Sequence, residues 1–314
     1  VWTHPLYFQS NKTKTMNIEF PSVDNHLLND EYHAIRALGN TGLKKLLKNP
    51  QQYQYEQENP PKPTLAMQIG SWTHSAVLEP DHFKSTYYRL PVGDKRKKEY
   101  KDEASRVALE NPGMEGIDPK LWDQFMGMKE SVYSHPYAAE LLAHVGWTER
   151  SHFWMEDELP CKCRPDRQVA DMCAIDLKTC EDASPQGFGR ACANWGYHIQ
   201  QAFYMRGLSK TDNPVQEFIF IAVEKAAPYT VGVYTLDTIA QEQGKARVRD
   251  GLEIYHECID TGTYPGYCDT VLELSLPSWA APRDKPTNGN EILALNSVDH
   301  RPLDGRCGPD GRSL

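Results

Sequence analysis

Arg164-Pro165-Asp166 and, ten positions after Asp166, Ile175-Asp176-Leu177-Lys178 are the stretches on which the reading of this chain turns. Side chains alternate between the two faces of a β-strand. If the second stretch is a strand, Ala174, Asp176 and Lys178 point one way, while Cys173, Ile175 and Leu177 point into a core. A carboxylate and an amine then stand side by side on an otherwise apolar strand. Hard divalent cations take oxygen ligands, and magnesium is usually held by one or two carboxylates together with substrate phosphate. Asp166 can supply the second carboxylate if its strand and that of Asp176 form a hairpin. Taken alone, Asp-x-Lys is a frequent chance pattern on solvated strand faces, so its surroundings have to carry the case.

Around these stretches the pattern is that of strands. Ser151 to Met155, Lys162 to Asp166 and Ala170 to Thr179 are rich in strand formers, broken by Glu156-Asp157-Glu158 and by Pro160. Upstream the period is helical. Residues 40–58 read as a helix that Thr41 could cap, with Leu43, Leu46 and Leu47 as its apolar stripe and Asn49-Pro50 interrupting it. Residues 64–79 read as a second helix, with Ile69, Trp72 and Ala76 at helical spacing and Glu79-Pro80 as its stop. Residues 94–145 are charged and mostly helical in character. Downstream come a helix at about 195–208, paired strands from Phe218 to Glu224 and Tyr229 to Leu236 joined across Pro228, and a long amphipathic helix from about Asp237 to Cys258. Helices, strands, helix, strands, helix is the order of an α/β fold with a central mixed sheet flanked by helices.

The flanks read differently. Leu6-Tyr7-Phe8-Gln9-Ser10 matches the remnant of a tag-removal protease site, so residues 1–15 are set aside as vector-derived or disordered, with Met16 as a native start. Residues 16–282 are expected to form one domain with a helical N-terminal part. The tail, 283–314, is rich in Pro, Gly, Asn and Asp and reads as loosely attached.

Of the 314 residues, 39% are hydrophobic and 25% charged, an ordinary globular balance. The longest apolar run, Phe218 to Val223, is far too short to span a membrane, and no secretory signal is visible, so a cytoplasmic protein with no membrane partner is expected. The eight cysteines include no Cys-x-x-Cys pair of the kind that marks zinc sites, and reduced, mostly buried thiols are expected. A net charge of −9 argues at first against a polyanionic partner. A basic groove can nevertheless sit on an acidic body, and Lys95-Arg96-Lys97-Lys98 is one local basic run, although a solvated loop explains it as well.

Two further features lie on predicted helices. In Gly70-Ser71-Trp72-Thr73-His74, Gly70 precedes His74 by one turn and would let another backbone come close. In Gln200-Gln201-Ala202-Phe203-Tyr204, Gln200 and Tyr204 are neighbours on one face. Each is bland alone. A histidine on a helix, Pro-Asp, Asp-x-Lys and then Gln-x-x-x-Tyr, in that order, are not.

That order resembles the RecB-like branch of the PD-(D/E)XK nucleases, and within it the RecE (exonuclease VIII)-like exonucleases. The motifs that carry the resemblance are Gly70 to Pro80, Cys161-Lys-Cys-Arg-Pro-Asp166, Ile175-Asp-Leu-Lys-Thr179, Tyr197-His-Ile-Gln-Gln-Ala-Phe-Tyr204 and Ser275-Leu-Pro-Ser-Trp-Ala280, over roughly residues 29–281. The resemblance implies a restriction-endonuclease-like core and a magnesium-dependent double-stranded DNA exonuclease, with manganese able to substitute. His74, Asp166 and Asp176 would hold the metal with the backbone carbonyl of Leu177. Lys178 would contact the attacking water or the scissile phosphate, while Gln200 and Tyr204 would organise the site and touch DNA. Glu149 matches an upstream acidic position that could approach the metals, although a surface glutamate at a strand end fits it equally. Some relatives carry an iron–sulfur cluster on a cysteine upstream of the active-site histidine. Nothing before Cys161 can serve, so no cluster is expected.

The resemblance also implies processive 5′-to-3′ digestion leaving 3′ single strands for a RecT-like annealing partner, and a ring of three or four subunits. Lys95, Arg96, Lys97 and Lys98 are nominated for the DNA channel of that ring or for the groove leading to Asp176. A single-strand nuclease or endonuclease on the same scaffold, or a non-catalytic DNA-binding protein, are the competing expectations. The last usually lacks the lysine or a carboxylate, and here all are present.

Overall fold

In the computed structural model, which describes residues 18–277, the chain opens with β1 (Ser22–Asp24), α1 (Asn29–Ala34), α2 (Asn40–Lys48), α3 (Pro50–Glu58), α4 (Leu65–Leu78) and α5 (Pro80–Thr86). There follow β2 (Tyr87–Arg89), α6 (Lys98–Glu110), β3 (Glu115–Ile117), α7 (Pro119–Ser134) and α8 (Pro136–Ala143). The strand-rich part holds β4 (Trp147–Thr148), β5 (Ser151–Glu156), β6 (Leu159–Cys163), β7 (Arg167–Val169) and β8 (Cys173–Cys180). Then come α9 (Pro185–Trp195), α10 (Tyr197–Lys210), β9 (Glu217–Glu224), β10 (Val231–Tyr234) and α11 (Thr238–Thr261). The readings of residues 1–15 and 283–314, and the last three residues of Ser275–Ala280, lie outside the described residues. Among the described residues, 268–277 belong to a unit separate from the body that ends at Tyr267, and they carry no helix or strand.

The site rests on a five-stranded mixed sheet of order β10-β9-β8-β7-β4. Its centre is the parallel pair β8 and β9, in register from Cys173 opposite Glu217 to Cys180 opposite Glu224. Parallel central strands are covered on both faces and read as near-continuous apolar runs, as Phe218 to Val223 does. One face carries Cys173, Ile175 and Leu177 of β8 with Ile219, Ile221 and Val223 of β9, packed under Ile69, Trp72, Phe125 and Met128 of α4 and α7. The opposite face carries Ala174, Phe218, Phe220 and Ala222 against Phe188 of α9 and Leu208 of α10. Ile175 and Phe220 have no exposed surface. Truncating Ile175 to alanine should therefore cost about 2–5 kcal/mol of stability.

A three-stranded sheet, β1-β5-β6, packs through Trp154, Cys161 and Cys163 onto Leu43 and Leu46 of α2, Phe203 of α10 and Val248 of α11. A parallel pair, β2 and β3, stands apart from both sheets. No helix among the described residues is long and apolar enough to cross a membrane. Cys161, Cys163, Cys173, Cys180, Cys192 and Cys258 are buried free thiols, and Cys268 is exposed.

Several boundaries depart from the sequence reading. The helix expected over 40–58 is two helices. Asn49 leaves the helical conformation, its Oδ1 accepts the Gln52 N–H at 2.9 Å and Pro50 starts α3. Gly39, not Thr41, is the N-cap of α2. The helix expected near 195–208 is α10, and an unforeseen helix, α9, precedes it, with Gly196 at φ +63° ending α9 and opening α10. The strand expected from Ala170 starts at Cys173, since residues 170–172 form the turn into it, with Ala170 at φ +44°. The expected hairpin is there with different members: β7, just after Asp166, pairs antiparallel with β8, whereas Lys162 and Cys163 belong to β6 in the other sheet. Residues 94–145 include the strand β3 among their helices.

Candidate active site

Pro165-Asp166 bridges the two sheets, and this places the Asp166 carboxylate beside β8. Its Oδ2 accepts the Leu177 backbone N–H at 2.6 Å. That bond is available because β7 stops pairing at Arg167, opposite Ile175, so Leu177 lies past the end of its neighbour. Within a strand the N–H and C=O of one residue leave on the same side. The Leu177 carbonyl, the expected backbone ligand, therefore emerges on the same open flank as Asp166.

Three other elements converge there. His74, on α4, brings Nδ1 to 3.3 Å from Asp166 Oδ2. Glu149 sits between β4 and β5 at φ +50°, a conformation that costs a non-glycine residue energy and turns its side chain inward. His74, Glu149 and Asp166 each offer a ligand atom, and these atoms lie within 4.8 Å of one another. On α10, Gln200 Nε2 donates to Asp176 Oδ2. Asp176 has only 1% of its side chain exposed, and its Oδ1 lies against Lys178 Nζ as an ion pair without hydrogen-bond alignment.

The electrostatics are those of acids crowded without enough positive charge. Burial, then the charge of Asp166, pushes the Glu149 carboxyl upward, with Arg164 pulling the other way. Burial also raises Asp166, opposed first by His74 and reinforced by Asp176. Burial alone would lower Lys178, yet Asp176 and Asp166 hold it above the ordinary lysine range, so it is a cation in this setting. Its ammonium also lies 4.9 Å from the centre of the Tyr197 ring. Tyr204 is pushed up by burial and feels the Tyr32, Asp176 and Asp166 groups as well. Its ring packs edge-on to Phe218 at 6.0 Å.

The structure thus gathers His74, Glu149, Asp166, Asp176, Lys178 and Gln200 around the open end of β8, with Tyr204 behind them. Glu149, a weak candidate by sequence, joins the ligand cluster. Asp176, a strong one, is engaged instead by Gln200 and Lys178. Gly70 is not needed for close packing, since a Cβ there would meet only Thr179 Oγ1 at 3.8 Å. Of the basic run, Lys95 is bonded to Asp118 and Arg96 to Asp94, both on the surface.

Four contributors carried no assigned role in the sequence. Lys44 of α2 feels Lys178 and Asp176. Glu79, read only as a helix stop, adds negative potential at Glu149 and Arg164. Arg164 is held by Ser151 Oγ at 2.9 Å and the Leu27 carbonyl at 3.0 Å. Tyr197 stood inside a motif without a function. A Lys-rich helix face and a Glu-Pro stop give no local signal of such placement.

The donor set fits a divalent cation. Two carboxylates and an imidazole converge, a strand carbonyl leaves on the same flank, and the acids repel one another when no counter-charge is present. Oxygen-rich donors with one imidazole suit a hard or borderline divalent ion.

The fold has a known counterpart. A candidate exonuclease from Eubacterium rectale superposes with a TM-score of 0.57 over 80% of this chain and 96% of its own, at 13% identity. A phage-related exonuclease from Haemophilus somnus covers 72% of this chain and 96% of its own, at 14% identity and a TM-score of 0.31. No protein of curated function matches the sequence. The family described as a PDDEXK-like domain of unknown function, DUF3799, matches residues 39–274. The mixed sheet with helices on both faces is accordingly a restriction-endonuclease-like core, and the chain belongs to this PDDEXK-like family.

Proposed function

We propose that this protein is a magnesium-dependent exonuclease acting on the ends of double-stranded DNA. The observation that carries the reading is the meeting of Asp166, Asp176 and Lys178 at the open end of β8, with His74 and Glu149 completing a cation site. Phosphodiester hydrolysis needs an activated water, neutralisation of charge developing on the phosphate and a stabilised leaving oxygen. A bound divalent ion supplies Lewis acidity for those demands.

The chain's own residues would divide the remaining work. His74, Glu149, Asp166, Asp176 and the Leu177 carbonyl are the groups to hold the ion, with manganese an acceptable substitute for magnesium. Lys178, beside Asp176, would contact the scissile phosphate and place positive charge where it gains negative charge. Gln200 fixes the Asp176 carboxylate in one orientation, and Tyr204 supports Gln200 from the next turn of α10. Processive 5′-to-3′ digestion, release of 3′ single strands to a RecT-like annealing protein, and a closed homo-oligomer of three or four subunits complete the proposal. Their support is the motif resemblance to RecE-like enzymes.

End-labelled linear duplex and covalently closed duplex, each incubated with magnesium or with EDTA, provide the test. Digestion of the linear form alone, and only with the metal, is expected. Cutting of the closed form would replace the exonuclease reading by an endonuclease one. Light scattering of the free protein checks the ring, which a strict monomer would exclude.

A further inference from the structure

At the corner where α9 turns into α10, four residues meet that the metal site does not use. Lys44 reaches across from α2 and donates Nζ to the Trp195 carbonyl at 2.9 Å. Gly196 makes the turn at φ +63°, and a Cβ there would stand 3.0 Å from Lys44 Cδ, so the lysine stem lies directly on the turn. One residue later, the Tyr197 ring lies under the Lys178 ammonium. Both lysines therefore approach the same corner, one through Trp195 and the other through Tyr197.

Two features of this corner are left without internal use. An ammonium carries three donors, and the Trp195 carbonyl takes one of those on Lys44. Two remain, while burial and then the charge of Lys178 push the Lys44 pKa down to about 8, which leaves it still mostly charged at neutral pH. Two neighbouring cations with spare donors favour a polyanion. Trp195 itself is 66% exposed, the most exposed tryptophan among the described residues, while Trp72 and Trp154 are buried. Exposed aromatics beside cationic tracks are the usual platform on which bases of an unpaired strand stack. The Lys44 bond to the Trp195 carbonyl and the Lys178 contact with the Tyr197 ring put the corner on the lysine side of the site.

We infer that Lys44 and Trp195 form a strand-holding subsite beside the reaction centre. Lys44 binds the phosphate next to the scissile one, and Trp195 stacks a base of the same strand. This deepens the nuclease reading and rests on it. It assigns DNA contact to α2 and to the α9–α10 turn, neither of which supplies a metal ligand.

The test compares wild type with Lys44→Gln, Lys44→Arg, Trp195→Ala and Trp195→Phe, each checked for an unchanged thermal melt. Wild type is first assayed on labelled linear duplex with magnesium. If it digests nothing, the nuclease reading falls, and the corner is then judged by binding in EDTA alone. Lys44→Gln should raise KM about tenfold with kcat little changed, and should make the salt dependence of binding shallower by about one counterion, with Lys44→Arg restoring both. Trp195→Ala should weaken binding about tenfold, as loss of one stacking platform does, and Trp195→Phe should keep most of the affinity. With 2-aminopurine in the terminal positions, wild type should quench its fluorescence in EDTA and Trp195→Ala should not. An unchanged KM and salt slope in Lys44→Gln overturns the phosphate contact. Unaltered quenching in Trp195→Ala overturns the stacking.

Discussion

The carboxylate cluster at the end of β8 and the run Lys95–Lys98 are both dense in charge, and their surroundings differ in kind. At β8 the charges come from α4, the β4–β5 turn, the Pro165-Asp166 bridge and β8 itself, residues as far apart in sequence as His74 and Lys178. They are largely buried, with 27% of the His74 side chain, 13% of Asp166, 18% of Lys178 and 1% of Asp176 exposed. Low local dielectric magnifies such charges, and an unbalanced set stores a preference for a cation. In the 95–98 run the charges are adjacent in sequence and exposed. Lys95 and Arg96 are already neutralised by Asp118 and Asp94 at 3.0 and 3.1 Å. Charge that is conspicuous in sequence is thus exposed and partly cancelled by its neighbours, whereas charge assembled by the fold is buried and leaves an excess of carboxylates.

The largest expected effects fall on the assembled patch. Asp166→Ala, Asp176→Asn and Lys178→Ala should each lower digestion by at least ~10²–10³, the usual consequence of removing one preorganised electrostatic group. Asparagine is chosen at 176 because it preserves shape where burial would make truncation destabilising. Near-wild-type digestion by folded Asp176→Asn, measured on linear duplex, would remove this patch as the reaction centre.

The metal comes next. EDTA should abolish digestion and leave the circular dichroism melt cooperative, because the sheet is held by its two apolar cores and not by the ion. Calcium should support DNA binding with little cleavage, since its larger and looser coordination shell positions the attacking water poorly. Activity surviving exhaustive chelation would show that the carboxylate cluster is no cation site.

A smaller effect appears in stability without metal. The Glu149 carboxyl is shifted upward by burial and by Asp166. A carboxyl whose folded-state pKa lies above its unfolded value binds its proton more tightly when folded. Its contribution is therefore complete below the ordinary carboxylate range and is lost as pH rises through the folded value. The metal-free protein should lose melting temperature as pH is raised above that range, and Glu149→Gln should flatten the loss. Magnesium should stabilise more at high pH than at low pH, because ion and proton compete for the same oxygens. A pH-independent melt of the metal-free wild type would mean that Glu149 and Asp166 are not coupled as the geometry has them.

The contrast between the two patches also explains what the sequence disclosed. Asp176 and Lys178 stood out because a period-two apolar strand makes any ionic residue on it visible. The face assignment of Cys173, Ile175 and Leu177 agrees with their packing under α4 and α7. The other face was legible only in part, because β8 is buried on both sides and periodicity cannot report that. Helix α9 was missed where Gly187 and Gly189 break the apolar pattern, although Ser184-Pro185 is a sound N-cap and first-turn pair, with Ser184 Oγ accepting the Gly187 N–H at 3.1 Å. Strands β1, β2 and β3, three residues each, depend on partners far along the chain. The position of Glu149 follows from the path between two sheets, and that of Lys44 from how α2 docks against α10, neither of which a local pattern encodes.

The smallest effect belongs to the adjacent charges. If the 95–98 run met DNA with its full charge, changing Lys95, Arg96, Lys97 and Lys98 together to glutamine would release four fewer counterions on binding, and the salt slope would fall by about 3.6. Two of the four are already paired, however, and Lys97 and Lys98 have no ion-pair partner among the described residues. An existing carboxylate partner must be given up before Lys95 or Arg96 can meet a phosphate, which cancels most of the gain. The slope should therefore fall by only about 2, with a modest loss of affinity and no change in the rate of the first cut. In a ring the run would line the channel, and the quadruple variant should then also shorten the tract digested per encounter when excess trap DNA is present. A fall near four would show that DNA displaces Asp94 and Asp118. No fall at all would show that the run is a solvated loop, leaving the interface to groups nearer β8 such as Lys44.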